Sequence, residues 1–187
     1  MNTLKSMWPD FQELISLATG ITKSRVILAD QGQSAPSGNA LWATYKPVPI
    51  RTYGFPRRNR ELVPATYPTT IPNWKDYNET LQYHLEVMLS VNIYNDGASD
   101  AAWRAFHADL LGDIPEFLYK KGIGWRYASD IRNLTALQQA SYQERYQFDL
   151  HLFIDGDVSA NILTVAAFNI KIENEDGTII SEINDEL

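Results

Sequence analysis

The chain of 187 residues contains no cysteine, which excludes disulfide bonds, thiolate nucleophiles and cysteine-based zinc sites. It also lacks any apolar run near the ~18 residues that a membrane-spanning helix needs. Its 16 Lys and Arg and 23 Asp and Glu give a net charge of −7, which disfavours general attraction to nucleic acid or anionic membranes. We expect one folded domain covering residues 1–187, made in a reducing cytoplasm.

Motifs of common catalytic sites are missing as well. The sequence has no G-x-S-x-G turn, no G-x-x-x-x-G-K-[ST] loop, no G-x-G-x-x-G and no H-E-x-x-H. The fragment Gly122-Ile123-Gly124 is better explained as a helix terminator beside the start of a strand. The N-terminal region carries one lysine, Lys5, and no continuous apolar stretch, which is not typical of a signal peptide. These absences favour a non-enzymatic protein without a cofactor or a metal.

Two segments alternate apolar and polar residues with the period of a β-strand. Every odd position from Leu81 to Ile93 is apolar, and the even positions between them are polar except for Met88. Because side chains alternate faces on a strand, we predict an α+β fold whose mostly antiparallel sheet is covered by helices on one face. Shorter extended segments are predicted at residues 26–28, 41–53 and 123–134. The second long strand has its apolar residues at Tyr142, Tyr146, Phe148, Leu150, Leu152 and Ile154.

Apolar residues at three- and four-residue spacing predict three helices. The first covers residues 4–18, has Pro9 in its first turn and ends at Gly20. The third begins at Pro115 and ends at Gly122. The second is predicted to be capped by Ser99 and to turn one apolar face inward, made of Trp103, Phe106, His107, Leu110 and Leu111.

Two further segments are predicted to lie outside the main sheet. Residues 54–76 contain four prolines and follow neither period, so we predict a long proline-rich loop or arm. A turn is predicted at Asp155-Gly156-Asp157. Residues 158–187 are predicted to form a C-terminal β-hairpin and acidic tail, with Ile172 opposite Ile180. Beyond Lys171 there is no basic residue, and the acidic ones are Glu173, Glu175, Asp176, Glu182, Asp185 and Glu186.

Four polar residues of the long strands could bind a metal ion. His84 and Glu86 share the polar face of the first strand, and Asp149 and His151 share that of the second. If the strands adjoin, two imidazoles and two carboxylates would meet. A solvated sheet face produces the same residues, so both interpretations stay open.

The basic segment at residues 51–60 also has two interpretations. Its arginines all precede Glu61, which is the first acidic residue after Asp30. They could hold phosphates while nearby aromatic rings stack on bases, or they could contact protein, which the acidic chain favours. The arginines are Arg51, Arg57, Arg58 and Arg60, and the aromatic residues are Tyr53, Phe55 and Tyr67.

Several segments resemble the neck or tail terminator proteins of tailed bacteriophages. They are Leu17-Ala18-Thr19-Gly20-Ile21, Val26 to Asp30 with the loop to Pro36, and Asp130 to Leu137 followed by Tyr142 to Asp157. The similarity covers most of residues 10–157. It implies a structural virion protein of the tail or neck, assembled in the host cytoplasm. Such a subunit would form a ring, expected to contain six copies, around a lumen through which DNA passes without sequence-specific binding.

The implied ring would cap the tail tube, contact sheath proteins where these exist, and join the tube to the head connector. Rings need heterologous contacts, in which one patch meets a different patch on the next copy. We expect the basic arm and the acidic hairpin to supply these patches. The predicted interface residues are Arg57, Arg58, Arg60, Ile172, Glu173, Glu175, Asp176 and Ile180. The alternatives are a nucleic-acid-binding accessory protein and, third, a metal-dependent enzyme.

Overall fold

The computed structural model describes residues 4–32, 34–65, 73–138, 141–164, 167–173, 176 and 179–186. It has a mixed α+β fold with a mostly antiparallel sheet, as predicted. The helices in the described residues are α1 (Trp8–Thr19), α2 (Ala98–Phe106) and α3 (Asp113–Lys121). The strands are β1 (Val26–Leu28), β2 (Trp42–Pro64), β3 (Lys75–Tyr94), β4 (Ile123–Ala128), β5 (Arg132–Asn133), β6 (Ala136–Gln138), β7 (Ser141–Gln143), β8 (Arg145–Ile162), β9 (Ala167–Glu173) and β10 (Ile179–Glu186).

The chain forms two compact units. Unit 1 comprises Met1–Pro56 and Tyr83–Asp157, and unit 2 comprises Arg57–Gln82 and Val158–Leu187. The boundaries between the units fall inside strands β2, β3 and β8. The single domain expected from the sequence stays a prediction.

The main sheet has the strand order β1-β2-β3-β8-β4, with β5 also pairing with β8. Strand β1 runs parallel to β2 and places Val26 opposite Ala43, whereas β4 runs antiparallel to β8 and places Ile123 opposite Ile154. The predicted strand at residues 123–134 is therefore two strands, β4 and β5. At the break between them the Ser129 amide donates a hydrogen bond to the carbonyl of Asp149 at 2.8 Å.

The core of unit 1 lies between the helices and one face of this sheet. The odd residues of β3 from Val87 to Ile93 are fully buried, and so are the even residues of β8 from Phe148 to Ile154, so the predicted register is confirmed over these stretches. Leu85 packs against this core but is only half-buried. Each fully buried aliphatic side chain contributes about 1.5–3 kcal/mol. The core residues of these strands are Val87, Leu89, Val91, Ile93, Phe148, Leu150, Leu152 and Ile154, and α1 adds Phe11, Leu14, Ile15 and Ala18.

Helices α1 and α3 end where the sequence predicts. Pro9 lies in the first turn of α1, and the helix stops at Gly20, whose φ of 77° is a left-handed conformation that suits glycine. Helix α3 stops in the same way at Gly122, whose φ is 64°. Lys121, in the last turn of α3, forms an ion pair of 2.7 Å with Asp10 of α1. Local stop signals therefore set these boundaries.

The prediction for α2 is wrong in its cap and in its buried face. Ser99 lies inside the helix, and its amide and that of Gly97 point to the Glu144 carboxylate at 3.4 and 3.0 Å. Trp103 is 61% exposed and Leu110 is 77% exposed. Small side chains let the helix pack closely, and the buried residues are Ala98, Ala101, Ala102 and Ala105. Alanine and aromatic stripes have the same spacing, so periodicity cannot separate them.

The second long strand differs from its prediction at both ends. Glu144 interrupts it, leaving Tyr142 in the short β7, which pairs with β6. No turn forms at Asp155-Gly156-Asp157, because β8 continues to Ile162. Gly156 instead makes room for an aromatic ring: a Cβ there would lie 2.7 Å from the Tyr83 ring.

The predicted arm at residues 54–76 is also wrong for much of its length. Strand β2 continues to Pro64, and β3 begins at Lys75. Strand β1 pairs only with Ala43–Tyr45, so Pro47 and Pro49 lie beyond that pairing. From residue 49 to residue 62 every side chain of β2 is exposed. Alternation is absent because neither face is buried, and a period-two test then fails to detect the strand.

Unit 2 contains the antiparallel pair β9 and β10. Ile172 lies opposite Ser181, not opposite Ile180, because a bulge between Ile179 and Ser181 adds one residue to β10. The predicted turn residues Glu175 and Gly177 lie outside the described residues. Elsewhere in unit 2 the Thr164 amide donates a hydrogen bond to Asp76 at 3.1 Å.

Candidate interaction surface on the open face of the sheet

One carboxylate on the face of the sheet opposite the helices is almost fully buried. Glu86 is 2% exposed, and its Oε2 accepts a hydrogen bond from Arg51 Nε at 2.9 Å. Its Oε1 accepts one from Arg126 Nη1 and lies 3.1 Å from His151 Nδ1. We name these four residues the Glu86 cluster. They come from β2, β3, β4 and β8, which the strand order brings side by side.

The charges of the Glu86 cluster do not cancel. Burial alone would raise the pKa of Glu86, but hydrogen bonds from Arg51, His151 and Arg126 outweigh it and hold that pKa below its usual value. The hydrogen bond to Glu86 in turn raises the pKa of Arg51. One ionised carboxylate therefore faces two guanidinium groups. The cluster carries surplus positive charge even when His151 is neutral.

Aromatic rings surround these arginines. The Arg126 guanidinium lies 5.6 Å from the ring centre of Tyr53 and 5.6 Å from that of Phe153, and Arg51 lies 5.0 Å from Tyr53. Arg126 also lies 5.4 Å from the Tyr127 ring. Such cation–π contacts hold a guanidinium in a fixed position. Arg51 is 55% exposed, so this arginine–aromatic surface is open to a partner.

Arginine and tyrosine are enriched at protein interfaces and carry much of their binding energy. Sequence reasoning missed Arg126 as a member of this surface and did not pair Arg51 with Glu86. The available signal was Arg126 between Trp125 and Tyr127, in a segment predicted as a strand. That signal identifies an exposed strand position, but only the neighbouring strands determine which charge it meets.

The four proposed metal ligands do not form one site. Strands β3 and β8 adjoin, and Glu86 meets His151 there. His84, however, lies 2.6 Å from Asp155, and Asp149 accepts a hydrogen bond from Gln147 at 3.0 Å. Across the described ranges no group of three or more His, Asp or Glu side chains is placed to hold a metal ion.

The basic segment is divided among different contacts. Arg51 belongs to the Glu86 cluster, and Arg60 of unit 2 forms an ion pair of 2.7 Å with Glu79. Arg57 and Arg58 are exposed. The stacking partner Tyr67 lies outside the described residues. Arg60 therefore has a carboxylate of its own and Arg51 shares one with Arg126, which leaves less free charge for phosphate than the sequence implies.

The other predicted interface residues lie in unit 2. Ile172 is half exposed on β9. The backbone of Glu173 lies opposite Ile179, and Asp176 is described. Glu175 and the side chains of Glu173 and Ile180 lie outside the described part of the structure.

Unit 1 also has a cavity of about 480 Å³ on the open side of the sheet, lined by polar and apolar groups alike. An ion pair of 2.6 Å between Lys46 and Asp30 lies at its rim. Its wall includes the stacked rings of Trp42 and Tyr94, 4.1 Å apart, and Arg145, which donates a hydrogen bond to Asn92 at 2.9 Å. Its charged groups are paired with each other or with amides, so it offers less surplus charge than the Glu86 cluster.

A sheet with one face covered by helices and an arginine–aromatic surface on the other is typical of a binding or assembly subunit. The chain belongs to the family of phage neck terminator proteins, which it matches over residues 7–177. The resemblance found in the sequence is thereby confirmed. Comparison with curated proteins finds no significant match.

Membership of this family makes the chain a structural protein of the bacteriophage neck, which associates with other tail and neck proteins in the virion. Within the described part of the chain, no helix is both long and apolar enough to cross a membrane.

Proposed function

We propose that the protein forms a ring of six copies that terminates the tail tube and joins it to the head–tail connector. DNA passes through the lumen without sequence-specific binding. The ring assembles in the host cytoplasm, contacts sheath proteins where the tail has them, and acts without catalysis or a cofactor. The observation that carries this proposal is the family match over residues 7–177.

The ring closes through contacts between unlike patches of neighbouring copies. On one side are the exposed Arg57 and Arg58, with Arg60 contributing less because Glu79 already pairs with it. On the other side are the apolar residues Ile172 and Ile180, with Glu173, Glu175 and Asp176 as acidic counterparts. Exposed ion pairs contribute roughly 0–1 kcal/mol each, so the isoleucines supply most of the adhesion and the charges set the register.

Light scattering and electron microscopy of the purified full chain test the ring. We expect one species with the mass of six copies and a central hole in images. A monomer at every concentration would contradict the proposal. Binding to a DNA duplex that weakens steeply with salt, without a ring, would favour the nucleic-acid alternative.

Substitutions in unit 2 test the contact itself. Ile172→Glu should reduce assembly strongly, whereas Val158→Glu, at another exposed apolar position of unit 2, should leave it unchanged. The double variant Arg57→Glu, Arg58→Glu should weaken assembly less than Ile172→Glu does. If Ile172→Glu and Val158→Glu assemble like the wild type, the hairpin is not the contact.

A further inference from the structure

We propose that the arginine–aromatic surface of unit 1, made by Arg51, Arg126, Tyr53 and Phe153, is a docking site for the acidic strand β10 of a second copy. This inference rests on the proposed ring, since a ring requires each copy to present two unlike and complementary patches. It adds to the unit 2 contact a second one, which uses different arginines and, apart from Ile180, different residues of the hairpin.

Glu86 leaves several hydrogen-bond donors of the two arginines unused. Arg51 gives only Nε to Glu86, and Arg126 gives only Nη1. The remaining guanidinium nitrogens of both residues form no hydrogen bond with any residue in the described ranges. A guanidinium group binds carboxylates with two parallel hydrogen bonds, so these nitrogens suit an acidic side chain.

The arginine–aromatic surface is already organised within one copy. Tyr53 touches both guanidinium groups, and its ring meets Phe153 edge-on with centres 5.3 Å apart. Glu86 and the rings fix the two arginines before a partner arrives. Less side-chain entropy is then lost on binding, which favours a specific contact over a loose one.

Negative charge and a free strand edge identify β10 as the occupant. After Lys171 the chain contains no basic residue, and Glu182, Asp185 and Glu186 fall within β10. Strand β10 pairs with β9 in a two-stranded sheet, so among the described residues one edge of β10 has no neighbouring strand. An extended, negatively charged segment with a free edge is the complement of a cationic surface.

Photo-crosslinking distinguishes a neighbour's strand from the chain's own. Phe55 is 99% exposed and lies two residues from Tyr53 on β2, so it can be replaced by p-benzoylphenylalanine without disturbing the cluster. Isotope-labelled and unlabelled full-length subunits are mixed under dissociating conditions, reassembled, irradiated and analysed by mass spectrometry. The same replacement at the exposed Tyr119 of α3 is the control.

We expect mixed-isotope cross-links between position 55 and residues 179–186, and none of these from position 119. Cross-links only within one copy would assign the surface to the chain's own strand and overturn the proposal. Absence of any cross-link to residues 179–186 would overturn it as well.

A peptide assay tests the chemistry separately from the ring. The probe is the blocked peptide of residues 179–186, and its control carries Glu182→Gln, Asp185→Asn and Glu186→Gln. The full chain should bind the acidic peptide at least about tenfold more tightly, as charge-assisted hydrogen bonds predict. Arg51→Lys should remove much of that preference, because lysine keeps the positive charge beside Glu86 but cannot give a carboxylate two parallel hydrogen bonds. Arg132→Lys on β5 is the control and should leave the preference unchanged.

The outcomes separate this proposal from that of the ring. Equal binding of the two peptides, with rings still visible, would overturn the docking site and leave the ring standing. Preferential binding of the acidic peptide by a monomer would overturn the ring and retain the chemistry of the site. A DNA duplex, added so that its phosphates match the peptide carboxylates in concentration, tests whether the surface binds phosphate instead. Displacement of the acidic peptide by this duplex would overturn the proposal.

Discussion

The two faces of the unit 1 sheet are made by alternate residues of the same strands, yet different interactions hold them. On the covered face Val87, Leu89, Val91 and Ile93 are fully buried. On the open face Asn92 accepts hydrogen bonds from Arg145, and further along β3 Glu86 binds two arginines. The covered face excludes water, whereas on the open face individual hydrogen bonds and ion pairs satisfy the polar side chains.

This difference assigns separate tasks to the two faces. Apolar packing is insensitive to direction and stabilises the fold, so its loss should affect folding. The polar contacts of the open face are directional, and they leave part of Arg51 and Arg126 exposed. Changes there should affect association more than folding.

Leu89→Ala should have the largest effect. The side chain is fully buried, so its removal leaves a cavity and should lower the free energy of unfolding by about 2–5 kcal/mol. Urea denaturation measures the loss. Gln82→Lys, at an exposed position of the same strand, is the control and should change stability by less than about 0.5 kcal/mol. Equal losses would refute the register of β3.

Gly156→Ala should have the next largest effect. The new Cβ would lie 2.7 Å from the Tyr83 ring, and overpacking of this kind costs about 1–3 kcal/mol. Thermal denaturation should show the loss, and Tyr83→Ala in the same chain should recover part of it. Gly112→Ala is the matched control, because nothing lies within 4 Å of its added Cβ. No recovery in the double variant would mean that the Tyr83 ring is not the obstacle.

The sequence predicts those parts of this fold that depend on local signals. The register of residues 81–93 follows from alternation, and the ends of α1 and α3 follow from Gly20 and Gly122. The strand at residues 54–64 leaves no such trace, since both of its faces are exposed. Two other errors have different causes: the start of α2 is set by the distant Glu144, and the pairing of Ile172 is set by the β10 bulge.

The candidate site could be predicted only in part for the same reason. Alternation placed Glu86 and His151 on the open face, and both lie there. It carries no information on which strands adjoin, so Arg126 was missed and a metal site was considered. Only the strand order shows that two arginines donate hydrogen bonds to the Glu86 carboxylate.

Glu86→Gln should cause a smaller loss that depends on pH. The folded state lowers the pKa of Glu86 below the ordinary 4.5, so its stabilising charge is present above that pH and is lost as the pH falls through the folded value. The wild type should therefore melt above the variant at neutral pH, and the difference should shrink below pH 4.5.

Melting curves of the wild type and of Glu86→Gln across this range check the sign. The exposed Glu116→Gln is the control and should change the melting temperature much less, because solvent screens its ion pair with Lys120. A gap between the wild type and Glu86→Gln that widens on acidification would contradict the role given to the arginines.

Trp103→Ala should have the smallest effect and tests the same division on a helix. The indole is 61% exposed, stacks on Phe106 with ring centres 5.8 Å apart and meets the His107 ring edge-on at 4.8 Å, so its loss should lower stability by about 1 kcal/mol or less. Ala102→Leu, on the adjacent buried position of α2, should cost about 1–3 kcal/mol because the added methyl groups have no space. Thermal denaturation of the pair measures both. If Trp103→Ala lowered stability more than Ala102→Leu, the large side chains of α2 would belong to the core. The helix would then be packed against the fold through those side chains and not through its alanine face.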